Sequence, residues 1–451
     1  MPDIDLRLFK AYDVRARTDA LTPAAAQLIG QAIGTLAQER GFSRYAVARD
    51  GRLSSPALAA ALVDGLATSG ITVIDLGLAA TPVLYFGASQ LADGCGAVVT
   101  GSHNPPDYNG IKLMIGGEAI GGAALQALAQ RIVAGELSQA AQPSQCTKHD
   151  IASAYTAAIC TAVPQTRRLK LVIDCGNGVP GAIAPALFQA LGHQVDALYC
   201  EVDGHFPNHH PDPQDPANLT DLIARVAATG ADLGLAFDGD GDRLGIVTVQ
   251  GAIVPGDALL ALFAQALLPQ QPGALVLHDV KSSRLVARCV ATAGGHCVAI
   301  PTGHTHMKRE LKARGALLAG ELSGHYAFAG WNVDDALYAA ARLTALVGAG
   351  LDLDAGFARL PVCHSTPELQ LAVPDAAAEL TRILATAAFP TAVSTSDIDG
   401  LRIEYPDGFG LIRKSNTTPV LTLRAEGDDA VALARIVSEL TVAIAPLRWP
   451  G

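Results

Sequence analysis

Residues Tyr45 to Gly77 read YAVARDGRLSSPALAAALVDGLATSGITVIDLG. An apolar run ends at Asp50, a short polar loop follows, Pro56 enters the first turn of a helix, Gly70 stops it, and Ile71 opens a second apolar run. Pro just inside a helix start and Gly just past its end are what those positions favour. The segment reads as a β-α-β unit, whose covering helix explains why its strands lack a polar face. The plan recurs in Leu169 to Tyr199, LKLVIDCGNGVPGAIAPALFQALGHQVDALY, with Asp174 and Gly192 in the equivalent places. It recurs again in Gly273 to Gly303, GALVLHDVKSSRLVARCVATAGGHCVAIPTG, with Asp279 and the Gly294, Gly295 pair. Three copies predict three related α/β domains.

From Pro367 onward the pattern changes. A strand (LQLAV), a helix (AAAELTRILATAA), three strands within Asp397 to Glu426 and a closing helix (DDAVALARIVSELTVAI) predict a small α+β domain with an antiparallel sheet. The fold class is therefore α/β with four domains, expected at 1–147, 148–252, 253–363 and 364–451. The chain has 451 residues, and at about 150 residues per domain this length suits three or four of them.

Composition removes whole classes of function. The formal net charge of −11 argues against a basic groove for nucleic acid and against an anionic membrane surface. The longest uncharged apolar run, Ala258 to Leu268, contains Gln265 and stops at Pro269. It is too short to span a bilayer core of about 30 Å and reads as a core helix. The eight cysteines have no CxxC pair and no zinc-ribbon spacing. They are expected to be reduced and mostly buried, in a cytoplasmic chain whose first residues lack the apolar core of a signal peptide.

Four loops carry chemistry. Thr100 to Lys112, TGSHNPPDYNGIK, follows the apolar run GAVV, at a strand end where open α/β sheets bind ligands. Ser102 is framed by Gly101, by His103, and by two prolines that hold the loop in one shape, and Lys112 can neutralise a phosphate. A serine-hydrolase elbow needs G-x-S-x-G, which neither this loop nor Glu321 to Gly324 supplies. Asp238 to Arg243, DGDGDR, alternates three carboxylates with glycines after LGLAF, a pattern that can wrap one hard cation. An EF-hand fails, since its sixth and twelfth positions would be Arg243 and Val249. Mg²⁺ on a phosphoryl oxygen fits better. Gly320 to His325, GELSGH, offers a carboxylate, a hydroxyl and an imidazole to a ring of hydroxyls. Arg413 to Pro419, RKSNTTP, combines cations with hydroxyl and amide groups suited to clamping phosphate.

Together with AYDVR (Ala11 to Arg15), DVKSSR (Asp279 to Arg284), TGH (Thr302 to His304) and FPNHHPDP from Phe206, these loops resemble, in order and over the whole chain, the α-D-phosphohexomutases. Within that superfamily the chain is similar to the bacterial phosphomannomutase/phosphoglucomutase group. The resemblance implies four domains around a central cleft, the last of them TATA-box-binding-protein-like, with one loop from each. It implies that Ser102 carries the transferred phosphoryl group and completes a Mg²⁺ site with Asp238, Asp240 and Asp242. Arg15, His103, Lys112, Arg243 and His304 would be catalytic; Lys112, His103 and His304 are all candidates for the base. Tyr12, Lys281, Gly303, Glu321, Ser323, His325, Arg413, Ser415, Asn416 and Thr417 would bind substrate. Ala16 departs from the family's usual Gly after YDVR, with a small backbone cost expected. The implied reaction interconverts hexose 1- and 6-phosphates of glucose and mannose through a 1,6-bisphosphate, with glucose 1,6-bisphosphate as activator. A small phosphosugar substrate and a monomeric chain are expected.

Two rivals follow from the residues. Gly176 to Gly181, GNGVPG, is a literal G-x-G-x-x-G between strand and helix, with Glu201 twenty residues beyond its last glycine. That pattern admits a nicotinamide-dependent dehydrogenase, although the other repeats place unrelated loops in the same slot, so the glycines are expected to serve a turn. Within the superfamily the resemblance leaves a phosphoglucosamine mutase as the nearer rival, whose serine loop typically reads SASHNP with a Tyr-rich sequel. TGSHNPPDYNGIK and the His325 ending favour glucose or mannose phosphates, and an N-acetylglucosamine phosphate mutase would be expected to end GExSGN.

Overall fold

Runs of Val, Ile, Leu and Ala with no polar face force each repeat's strands between helices, and the computed structural model, which describes residues 4–415 and 420–450, places them so. The chain divides into two compact units, Met1–Gly256 with Ser323–Gly356, and Asp257–Leu322 with Phe357–Gly451.

The first unit holds two mixed sheets. In one, the neighbours run Val14–Arg17, Tyr108–Ile115, Gly96–Val99, Arg44–Arg49, Thr72–Leu78 and Cys146–Lys148. The last four are mutually parallel, and Tyr108–Ile115 is antiparallel to both its neighbours. Helices Pro23–Glu39 and Ser55–Ser69 pack closely on each other. Gly30 and Gly65 make the approach possible: a Cβ on them would lie 2.3 Å from the Leu62 carbonyl oxygen and 2.0 Å from that of Gln27. The other sheet runs Ile253–Val254, Leu244–Val247, Leu233–Phe237, Lys170–Asp174 and Gln194–Leu198, its last three strands parallel. Ala16 sits in an ordinary strand opposite Asn109, so alanine there costs nothing.

The second unit holds the third repeat as a parallel set, His296–Ile300, Leu275–Asp279 and Leu318–Gly320. It also holds an antiparallel sheet ordered His364–Ser365, Val420–Gly427, Gly408–Lys414, Leu401–Tyr405 and Ser394–Ser396. Leu369–Ala372 joins it beside Val420–Gly427. Helices Ala376–Thr386 and Ala430–Ala443, N-capped by Asp375 and Asp429, bury Ile383, Ile436 and Leu440 against this sheet. The short strands 364–365 and 394–396 carry no apolar alternation, which is why the sequence does not announce them.

One arrangement recurs in all three repeats. The repeat's first strand lies between its second and a third, parallel strand: Gly96–Val99, Leu233–Phe237 and Leu318–Gly320 respectively. Each third strand runs directly into a chemistry-bearing loop, at Thr100, Asp238 and Glu321.

The apolar run near Ala258 forms the buried helix Gly256–Leu267, and among the described residues no helix is long and apolar enough to cross a membrane. All eight cysteines are free thiols, but the expectation that most are buried is corrected. Only Cys95, Cys175 and Cys289 are buried, and Cys146 is exposed on a short edge strand.

Candidate active site

The strand Gly96–Val99 delivers Ser102 to a buried position in the left-handed backbone region, at φ 48°. A non-glycine residue there carries backbone strain that the surroundings must hold. They do so with three groups. Thr100 Oγ1 accepts from Ser102 N at 2.8 Å, Asp50 Oδ2 accepts from Gly101 N at 3.2 Å, and the fully buried Arg52 donates to four carbonyls of the loop. Arg52 Nη2 reaches Ser102 O at 2.7 Å and Asn104 O at 2.6 Å, and Nη1 reaches Pro105 O at 2.6 Å and Tyr108 O at 3.0 Å. Asp50 balances the guanidinium charge at 3.2 Å, and the Phe206 ring lies beneath it. Gly101 must be glycine, because a Cβ would sit 2.6 Å from the guanidinium carbon of Arg52. Arg15 also grips the loop, donating to Gly101 O at 3.2 Å and Asn104 Oδ1 at 2.5 Å while paired with Asp13.

Ser102 Oγ donates to Asp238 Oδ2 at 2.8 Å, so the first two chemistry loops meet. Gly239 permits the approach, since a Cβ there would lie 2.3 Å from the Ser102 carbonyl oxygen. Asp238, Asp240 and Asp242 are all buried, with one oxygen of each within 4.8 Å of the others. Asp238 Oδ1 accepts from the backbone N–H groups of Gly241, Asp242 and Arg243, which shapes the turn and leaves Oδ2 facing Ser102. Burial and the charges of Asp240 and Asp242 push the Asp238 carboxyl well above the usual range. Burial also works against the charge of Lys112, but Asp240 and Asp242, at 2.7 and 2.5 Å, overcome it and hold the ammonium above its usual range. Asp240 Oδ1 is buried and makes no hydrogen bond among the described residues. Three crowded carboxylates, one with an unused buried oxygen, fit a hard divalent cation.

His103 Nδ1 lies 3.0 Å from Asp212 Oδ2. Burial and the Arg243 charge lower the His103 pKa to about 4, so the ring is neutral near pH 7. His325 Nε2 faces Asp242 Oδ1 at 3.3 Å, and its Nδ1 is 2.8 Å from Ser323 Oγ. Tyr12 occupies the bend before the strand Val14–Arg17.

In the second unit, Glu321 Oε1 accepts from Gly303 N at 2.7 Å, joining the TGH and GELSGH segments. Asp279 holds both: Oδ2 accepts from Thr302 Oγ1 at 3.0 Å and Oδ1 from Leu322 N at 3.2 Å. Asp399 accepts from Thr302 N at 3.1 Å and pairs with Arg413 at 2.9 Å. Lys281 pairs with Glu368 at 3.0 Å, and buried His304 has Nδ1 3.0 Å from Lys308 Nζ. Ser415 directly follows the strand Gly408–Lys414, and Asn416 and Thr417 lie outside the described residues.

Four family models match in succession: phosphoglucomutase/phosphomannomutase alpha/beta/alpha domains I, II and III over residues 6–139, 153–251 and 255–358, and the C-terminal domain over 368–442. The chain belongs to the phosphoglucomutase/phosphomannomutase family. It is 45% identical over 459 residues to a phosphoglucomutase of Neisseria gonorrhoeae, covering 100% of both chains. It is also 45% identical over 440 residues to a phosphomannomutase/phosphoglucomutase of Pseudomonas aeruginosa, covering 96% of this chain and 95% of that one. The crystal structure of a phosphoglucomutase/phosphomannomutase family protein from Burkholderia thailandensis superposes with a TM-score of 0.93 at 44% identity, covering 99% of each chain. The chain is thus a phosphohexomutase.

Several residues that shape this phosphohexomutase are not picked out by its motifs. Arg52, Thr81 and Asp399 sit in ordinary loops and helix starts; Thr81 Oγ1, for example, donates to Asp240 at 2.5 Å. Asp50 and Asp279 did carry a signal, the recurring aspartate at the end of each repeat's first strand. Each accepts a backbone N–H from the loop after the adjacent third strand, Gly101 and Leu322 respectively. The GNGVPG segment is a tight turn followed by a short 3-10 helix, and its glycines allow backbone contact: a Cβ on Gly178 would lie 2.8 Å from the Gly239 Cα, and one on Gly181 2.0 Å from the Cys200 carbonyl oxygen. Gly178 thus packs beneath the aspartate loop, and Gly181 against the chain after the repeat's second strand.

Arg52→Lys is expected to lower kcat about 100-fold with KM nearly unchanged, because a single ammonium cannot hold four carbonyls and the serine loop shifts by an ångström or so. Steady-state kinetics beside a thermal melt checks this; an unchanged kcat would mean that the loop holds its own shape.

Proposed function

We propose that this phosphohexomutase interconverts the 1- and 6-phosphates of glucose and mannose through a phosphorylated Ser102. The phosphoserine gives its phosphoryl group to the free hydroxyl of a hexose monophosphate: the Ser102 O–P bond breaks, a sugar O–P bond forms, and the hydroxyl proton passes to a base. The resulting 1,6-bisphosphate turns over and returns its other phosphate to Ser102, releasing the isomeric monophosphate. The observation that carries the reading is the 2.8 Å contact between Ser102 Oγ and Asp238, which sets a strained, buried serine against a cation-ready carboxylate cluster.

Asp238, Asp240, Asp242 and the phosphate on Ser102 would hold Mg²⁺, which when bound supplies positive charge to the transferred group. Lys112, kept protonated by Asp240 and Asp242, serves with Arg15 and Arg243 as fixed positive charge around the phosphoryl oxygens. His103, held neutral, and His304 then remain as proton acceptors. Glu321, Ser323 and His325 read the O3 and O4 hydroxyls that glucose and mannose share. Arg413, Ser415, Asn416 and Thr417 clamp the phosphate that does not react, and Tyr12, Lys281 and Gly303 complete the substrate contacts. The reading includes a monomer working in the cytoplasm, in keeping with eight free thiols.

The test is parallel turnover of glucose 1-phosphate, mannose 1-phosphate and glucosamine 1-phosphate with Mg²⁺ and a trace of glucose 1,6-bisphosphate as primer. The first two are expected to give 6-phosphates. Turnover of glucosamine 1-phosphate alone would reassign the sugar, and no turnover of any would overturn the reading.

A further inference from the structure

We infer that His103, His210 and Asp212 form a second metal site, suited to a borderline transition ion such as Zn²⁺ and separate from the aspartate triad. The three side chains come from the serine loop and from the FPNHHPDP segment, and one donor atom of each lies within 4.8 Å of the others. His103 Nδ1 and Asp212 Oδ2 are already 3.0 Å apart. Two ligands at 2.0–2.1 Å on a tetrahedral ion stand about 3.3 Å apart, so this pair needs almost no movement to share one. His210 completes the set from the same segment as Asp212, with its donor atom within 4.8 Å of the other two.

His210 also hydrogen-bonds the His103 backbone, which keeps these two residues together, whereas the neighbouring histidine is committed elsewhere. His209 has both ring nitrogens engaged, Nδ1 with the His210 carbonyl at 2.9 Å and Nε2 with Asp174 at 3.1 Å, and is structural. Ligand chemistry separates the new site from the triad. Three carboxylates select a hard ion, whereas two imidazoles and one carboxylate select Zn²⁺ and its neighbours and leave a fourth position open. An ion there ties the loop bearing Ser102 to the 206–213 segment and takes His103 out of use. It therefore inhibits turnover, a consequence that rests on the proposed function; binding itself does not.

The experiment titrates the full chain with Co²⁺ in excess Mg²⁺ and follows visible absorbance, which needs no turnover. One Co²⁺ is expected to bind with nitrogen-type ligand-field bands, to be displaced by Zn²⁺, and to bind at least about 10-fold more weakly in His210→Gln and in Asp212→Asn. Circular dichroism identifies which variant retains its fold, and that variant decides. Unchanged Co²⁺ affinity in a folded variant, displacement of Co²⁺ by Mg²⁺, or thiolate charge-transfer bands assigning the ion to cysteine would each overturn the site.

Discussion

Replacing Ser102 with alanine is expected to reduce turnover of glucose 1-phosphate by at least about 10⁴-fold, because on the proposed function it removes the group that carries the phosphoryl between the two half-reactions. No neighbour can take over. Of the hydroxyls beside the cluster, Thr100 Oγ1 accepts from the Ser102 amide at 2.8 Å and Thr81 Oγ1 donates to Asp240. The fold should survive the change. Alanine meets the same left-handed strain as serine, the backbone bonds from Arg52 and Asp50 do not depend on the side chain, and the loss is one buried hydrogen bond to Asp238, about 1–3 kcal/mol. The measurement is kcat together with labelled-phosphate incorporation from glucose 1,6-bisphosphate. An alanine variant that keeps full activity, or that still takes up label, would move the phosphoryl carrier to another residue.

On the proposed function, Asp240→Asn is expected to lower Mg²⁺-dependent turnover about 10³-fold or more, and to abolish the stabilisation that bound Mg²⁺ would give the native protein. At 100 times its dissociation constant a ligand stabilises by about 2.7 kcal/mol, a rise in melting temperature that is readily seen in the parent protein and should vanish in the variant. Without Mg²⁺ the two proteins should melt close together. Removing the Asp240 charge costs Lys112 one of its two carboxylate partners, but it also relieves the repulsion that holds the Asp238 carboxyl high. A variant that keeps both its Mg²⁺-dependent melting shift and its activity would exclude Asp240 as a ligand.

The architecture was legible because each repeat spells it locally: an apolar strand, an aspartate at its end, a helix closed by glycine. The serine and aspartate loops were legible for the same reason, since each compresses its donors into a few consecutive residues. What a linear reading lacks is adjacency. Arg52 sits between Gly51 and Leu53 in an unremarkable turn, and only the pairing of Arg44–Arg49 with Gly96–Val99 puts its guanidinium under the loop fifty residues away. The aspartates at the strand ends were visible as a pattern, but their purpose was not, because each serves a loop from a different part of the chain. His210 sits beside His209 in the FPNHHPDP stretch, and only the folded chain brings it to His103. The two short edge strands of the last domain have too few residues for any periodicity to show.

The threefold recurrence of a loop emerging from the same place in each repeat separates two kinds of inheritance. The copies differ in their short loops, one carrying Ser102, one the three aspartates and one Glu321, while the strands beneath them keep the same arrangement. Selection on substrate choice then acts on a handful of positions whose exchange leaves sheet register untouched. A chain built this way can change what it recognises without renegotiating how it folds.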